Sequence, residues 1–210
     1  MRTVIQILLV VGAIVLTYFI YQSIQRPIQF DKAKQVRYDA TVQRLKDIRK
    51  AELAYKDVYG VFTGSWDTLI HFVKYDSVRN VKAIGELTDS MIDAKITEKK
   101  AIAMGLIIRD TIKESVLESL FGENFDANSL RYVPVPGEPS EFHLGATIIT
   151  TGSGIKVPVF EAKAHNNVLY RGLDRQLVIN LNDQERMNDK YPGLRVGSLV
   201  ETNNNSGNWE

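Results

Sequence analysis

Residues 4–21 read Val-Ile-Gln-Ile-Leu-Leu-Val-Val-Gly-Ala-Ile-Val-Leu-Thr-Tyr-Phe-Ile-Tyr, a run with no charge and one amide, Gln6. At 1.5 Å per helical residue it approaches the ~30 Å hydrocarbon core of a bilayer, and Thr3 and residues 22–24 extend it. Tyr18 and Tyr21 lie at one end, where an amphipathic ring suits the lipid–water boundary. Arg26 and Pro27 are expected to stop the helix. The competing reading is a cleaved signal peptide. Against it, the run exceeds a usual signal core, and the residues that follow, Tyr21-Gln22-Ser23-Ile24, offer no small-x-small cleavage site. A buried core helix is the third reading, but a fully apolar run at the N-terminus is seldom one. The sequence is therefore read as a retained transmembrane anchor over 1–25.

The rest of the chain is composed for folding. Of its 210 residues 44% are apolar and 24% charged, which suits one ordinary domain beside an anchor. There is no cysteine. That excludes disulfides, thiolate zinc sites, a cysteine nucleophile and lipoprotein acylation, but it fixes no compartment. The net charge of +1 is unevenly divided: residues 1–57 hold ten Lys/Arg against five Asp/Glu, and 58–210 hold sixteen against twenty. The basic part is the membrane-proximal part, where phospholipid head groups would meet it. Nucleic-acid binding calls for aromatic platforms and dense arginine clusters, which are missing. Arg2 stands before the apolar run, and Arg26, Lys32, Lys34 and Arg37 follow it, offset by Asp31 and Asp39. By a small margin, that bias alone favours a cytoplasmic domain.

A second, amphipathic helix is expected over 26–60, opening at Phe30-Asp31 with Asp31 as N-cap. Its apolar positions Tyr38, Val42, Leu45, Ile48, Tyr55, Val58 and Phe62 recur mostly three or four apart, with Ala51 between them, and Gly60 closes it as a left-handed cap. Pro27 leaves near-continuity with the anchor open, as a kinked rod. A short helix follows over 66–75, capped by Ser65 or Asp67. Strands are expected over 78–84 and 106–112, and helices over 97–104 and 115–120. Residues 130–135 look β-like, though broken by Pro134, Pro136 and Pro139. Alternation through Phe142, Leu144, Ala146 and Ile148, the Gly152-Ser153-Gly154 turn and residues 155–164 predict a hairpin. Residues 176–181 and 194–200 read as further strands, with a helix between them begun by Asn182 and Glu185. The expected class is α+β: an N-terminal transmembrane helix, a long amphipathic helix, then a small, mostly antiparallel sheet with short helices. The head is placed at 61–201 and a polar tail at 202–210.

Residues that could carry chemistry are scattered. His71, His143 and His165 fall in different elements without ligand spacing, so no metal is expected. Gly152-Ser153-Gly154 lacks the lysine and following helix of a phosphate loop. Ser153 sits in no nucleophile elbow. Residues 180–183, Asn-Leu-Asn-Asp, lack the glycine and terminal glutamate of a calcium loop. No cofactor is implied, and no residue offers an enzyme a footing.

The order of elements resembles the type IV pilins and pseudopilins over residues 1–75. The likeness is strongest where Ile48-Arg49-Lys50-Ala51-Glu52-Leu53-Ala54-Tyr55-Lys56-Asp57-Val58-Tyr59-Gly60-Val61-Phe62 is followed by Ser65 and Leu69-Ile70. Major pseudopilins have a similar helix, tyrosine, Gly-x-aromatic and short capped helix. The chain departs from the pattern at its start, Met-Arg-Thr-Val-Ile-Gln. That lacks both the glycine–phenylalanine processing site and the assembly glutamate, and Thr63 replaces the usual proline. The resemblance thus implies architecture, and leaves processing and polymerisation aside. Asp67-Thr68-Leu69, Asp76-Ser77-Val78, Asp89-Ser90-Met91 and Asp110-Thr111-Ile112 are similar to the sites at which Bacteroidota attach O-glycans in the periplasm. That likeness implies a single-pass protein of the bacterial inner membrane with its soluble domain periplasmic.

The expected function is a non-enzymatic structural or assembly subunit of a bacterial envelope complex. It would contact the lipid bilayer, other envelope proteins and, in a homo-oligomer, its own copies, with Tyr38, Val42, Leu45, Ile48 and Tyr55 as interaction residues. The alternative is a membrane-tethered binding module that recognises a ligand or envelope partner through its β-rich head. An enzyme acting through scattered carboxylates is a third, unsupported reading.

Overall fold

The computed structural model describes residues 2–84, 97, 100–101, 104 and 108–210. The class is α+β. Helix α1 (Arg2–Tyr59) runs for 58 residues with Pro27 inside it, about 87 Å by helical rise. The expected stop at Arg26-Pro27 and restart at Asp31 are therefore corrected. Pro27 has no N–H to give the Ser23 carbonyl, which costs one backbone bond. The turns on both sides are otherwise intact, and Phe30, buried just beyond, anchors the helix in the fold. Asp31 serves as no cap. Its carboxylate pairs with Lys34 Nζ at 2.9 Å.

Among the described residues α1 alone is long and apolar enough to cross a membrane. No residue from 2 to 29 is buried; Leu8 and Ile14 stand 70% and 64% exposed. An uncovered greasy surface of this extent calls for lipid or for protein partners. The segment is compatible with a transmembrane or signal-anchor helix.

The chain forms two compact units: Met1–Arg49 with Leu130–Glu210, and Lys50–Ser129. The first unit holds a three-stranded antiparallel sheet in the order β3–β4–β5, of β3 (His143–Thr150), β4 (Lys156–His165) and β5 (Gly193–Gly197). The predicted hairpin is β3–β4, and its register pairs His143 with Lys163. The last strand stops at Gly197, short of the expected 200. There the backbone takes φ +73°, and a Cβ would lie 2.1 Å from the Phe160 carbonyl oxygen, so only glycine fits. The core includes Val42, Leu45 and Ile48 of α1 with Leu130, Phe142, Phe160, Leu169 and Val196.

Two helices follow β4: α4 (Asn166–Leu169) and α5 (Arg175–Met187). The second occupies 176–181, where a strand is expected. The Asp174 carboxylate accepts the N–H groups of Gln176 (3.0 Å) and Leu177 (3.3 Å), and Val178 and Asn182, four apart, face inward. The β-like residues Leu-Val-Ile obey the cap and the helical spacing instead. Asn182 and Glu185 accordingly lie inside α5 and begin nothing. Residues 130–135 form no strand either. A 3-10 turn covers Ala127–Arg131, and only Tyr132 pairs, with Glu141. Prolines 134 and 136 have no N–H to give a ladder. The segment 202–210 is polar but attached: Gly207 bridges Val196, and Arg49 donates to Asn205 O (3.3 Å) and Glu210 Oε1 (2.7 Å).

In the second unit α1 ends at Gly60, left-handed at φ +79°, with its N–H on Lys56 O. Helix α2 (Trp66–Tyr75) begins on the Ser65 cap as expected. An antiparallel pair follows, β1 (Ser77–Ile84) with β2 (Ile108–Ser115), and then α3 (Val116–Leu120) before Gly122. Thr68 and Ser77 of the glycan-type motifs are exposed, whereas Asp89-Ser90-Met91 lies outside the described residues. So does most of the expected helix 97–104, although Ala101 and Met104 each bond the carbonyl four residues back.

Candidate functional site

The side chain that begins the site is Phe30, the first buried residue of α1. Its ring meets Tyr170 edge-on at 6.2 Å. Two turns later Arg37 donates to the carbonyls of Leu169 (3.2 Å) and Arg171 (2.7 Å), satisfying oxygens left open at the end of α4. His165 caps the other end of α4, its Nδ1 accepting the Asn167 N–H at 3.1 Å. Burial, then Arg186, lowers the His165 pKa and keeps that nitrogen free to accept. These contacts fix Tyr170 in one wall of a cleft of about 330 Å³.

The opposite wall is held by charge. Glu161 of β4 is buried, with Lys163 Nζ on one oxygen and Arg195 4.0 Å from the other. Two cations offset the cost of burying that carboxylate. The Lys163 ammonium lies 5.8 Å over the ring of Tyr191, and His165 meets the same ring edge-on at 6.1 Å. Asn208 straps β5 from outside, donating to Gly193 O (2.8 Å) and accepting from Arg195 N (3.1 Å). Lys34 and Tyr38 of α1 close the cleft beside Glu185 and Asp189.

Tyr170 is only 4% exposed, yet its hydroxyl has no hydrogen-bond partner among the described residues, nor have those of Tyr38 and Tyr191. None of the three is enclosed from solvent, so each opens onto the cleft. Burial first, then Tyr38 and Glu185, pushes the Tyr170 phenol up to about 12. It stays protonated, a donor aimed at the cleft. Three phenols, two lysines and Arg195 present mainly donors, with Glu185 and Asp189 as acceptors. Such a lining suits a polar, acceptor-rich molecule.

The five interaction residues expected from the sequence are separated. Val42, Leu45 and Ile48 are core, the last two at 0% exposure, so they present no face to a partner. Tyr38 lines the cleft. Tyr55 belongs to the second unit, its ring 5.2 Å from Phe72. Each histidine has its own local surroundings: His71 lies against Tyr75, His143 is exposed on β3 and His165 caps α4. Among the described residues no three His, Asp or Glu gather as metal ligands. Nothing in the local sequence singles out Tyr170 or Asn208. For Tyr191 the one signal is Tyr191-Pro192-Gly193, an aromatic set at a turn.

The second unit holds a buried acid. Glu52 is at 0% exposure; Oε2 accepts the Thr63 N–H at 3.1 Å, and Oε1 has no partner among the described residues. Burial pushes its carboxyl up to about 8, against a smaller downward pull from Thr63. The folded chain thus holds a proton that the unfolded chain releases near the ordinary 4.5. Stability is full below that value and falls as pH rises to about 8, by at most about 1.4 kcal/mol per pH unit. Glu52→Gln should flatten this slope and be the more stable form at pH 8.5 in urea melts. A variant as pH-dependent as the wild type would show that Glu52 ionises freely in the fold.

Protein-family models, curated proteins and solved structures offer no match to this chain.

Proposed function

We propose that the protein is a non-enzymatic binding module of the bacterial envelope. One helix tethers it to the inner membrane, and it receives a polar ligand or partner group in the tyrosine-walled cleft. The observation that carries this reading is the Tyr170 hydroxyl, held by a buried ring, open to the cleft and without a partner among the described residues, beside the point where α1 leaves the fold. A phenol fixed by packing and open to a cleft can donate to a ligand without giving up a bond within the protein. A thermal-shift screen of polar metabolites on the detergent-solubilised protein tests this. A ligand at a hundred times its Kd should stabilise by about 2.7 kcal/mol, a shift of several degrees. Tyr170→Phe should shrink that shift. Stabilisation that ignores this substitution would place the ligand elsewhere.

The domain is proposed to lie in the periplasm, on the strength of the glycan-type motifs. The chain lacks cysteine, so Glu201→Cys, at an exposed position, gives a single label site. An impermeant maleimide should label it in intact spheroplasts. Labelling only after lysis would put the domain in the cytoplasm.

A second reading keeps one support. An assembly subunit of pilin-like build would use residues 4–24 of α1, uncharged and uncovered, to pack against neighbouring helices in the bilayer.

A further inference from the structure

Where the cleft lies, and what its walls lack, narrow the ligand. Phe30 is the first buried residue of α1, and Lys34 and Tyr38 follow it by one and two turns. With α1 seated in a bilayer, residue 24 ends the apolar stretch, ten residues before Lys34. That is about 15 Å of helical rise. The head-group layer occupies only about 5–8 Å outside the hydrocarbon. The cleft therefore sits just beyond the phosphate level, where the sugar of a glycolipid projects and where free saccharides also diffuse.

The lining is complementary to both hydroxyls and a negative charge. The hydroxyls of Tyr38, Tyr170 and Tyr191 can donate to a ligand, and Glu185 and Asp189 can accept from one, none of them giving up a partner among the described residues. Ring hydroxyls are both. Lys34 is paired with Asp31 and Arg195 faces Glu161, but Lys190, exposed at the rim, carries no ion pair among the described residues. A neutral sugar leaves that cation unanswered. A bare anion leaves the carboxylates and most of the phenols unanswered.

We infer that the cleft between α1, α4, α5 and β5 binds an acidic sugar, its ring hydroxyls on Tyr170, Tyr38 and Glu185 and its carboxylate or phosphate toward Lys190. This rests on the binding reading proposed above and specifies its ligand.

Calorimetric titration of the full-length protein in detergent, with glucuronic acid, glucose 6-phosphate, glucose and inorganic phosphate, tests it. The two acidic sugars should bind saturably, and glucose and phosphate should each bind at least about tenfold more weakly. Tyr170→Phe keeps the ring and removes a hydroxyl with no protein partner. It should leave the melting temperature unchanged while weakening the acidic sugars about five- to tenfold, the scale of one lost hydrogen bond. Lys190→Gln should erase their advantage over glucose. Vesicles of phosphatidylcholine with a minor fraction of glucuronosyl diacylglycerol separate the sources. Competition with the free sugar marks a lipid-borne ligand, and its absence marks a soluble one; the site takes an acidic sugar either way.

Equal binding of glucose, or acidic-sugar affinity untouched by Tyr170→Phe, overturns the ligand class. If another member of the panel alone binds in a Tyr170-dependent way, the binding module stands and the acidic sugar falls. If nothing binds the wild type, and the metabolite screen also fails, both fall.

Discussion

Arginine at both Val11 and Ile14 should release the protein from membranes. Residues 4–21 contain twelve Val, Leu, Ile or Phe, each contributing about −0.3 to −0.6 kcal/mol to insertion, roughly −4 to −7 in all. An arginine near the bilayer centre costs about 2.5–3.5 kcal/mol. Two of them cancel the gain, and the two apolar residues they replace are lost besides. The wild type should float with lipid and resist alkaline carbonate, and the double variant should do neither. Intact mass settles the rival: a mature protein without its first twenty-odd residues would mean that the segment is a cleaved signal. If wild type and variant partition alike, the segment is no anchor.

Leu45→Asp should unfold the first unit, while Val36→Asp on the same helix should change almost nothing. Leu45 is fully buried and Val36 is 70% exposed. Truncating a buried leucine costs about 2–5 kcal/mol, and a carboxylate without a partner adds several more. That sum rivals the whole stability of a domain, about 5–15 kcal/mol. An exposed substitution stays within about 0.5 kcal/mol. Limited proteolysis and near-ultraviolet dichroism of the two variants read the contrast directly. If Leu45→Asp leaves the fold intact but strips away partners, the stripe is an interface after all.

Some of the fold was legible because its causes are local. Eighteen uncharged positions can be counted in a row. Ser65 before an apolar helix, Gly60 after one, and Gly-Ser-Gly between alternating runs each act through neighbours a few residues away, and α2, the end of α1 and the β3–β4 hairpin fall where such signals put them. The class followed from the order of these pieces.

What failed locally failed for competing causes of similar strength. Residues 176–181 carry β-branched side chains, yet the Asp174 cap and the inward pair Val178 and Asn182 make a helix of them. Pro27 marks a break by its own chemistry, but helix on both sides and the burial of Phe30 carry α1 through.

The sequence by itself determined the membrane-compatible helix, the α+β class and the apolar stripe of α1. Only the tertiary structure decided what the stripe does: packed in the core, Val42, Leu45 and Ile48 are spent on the chain's own stability. It alone also brought Tyr38 beside Tyr170 and Tyr191, more than 130 residues away, to wall one cleft. Periodicity encodes which face of a helix is greasy. It carries no information about which distant side chains will meet there, because that is set by packing among elements far apart in the chain.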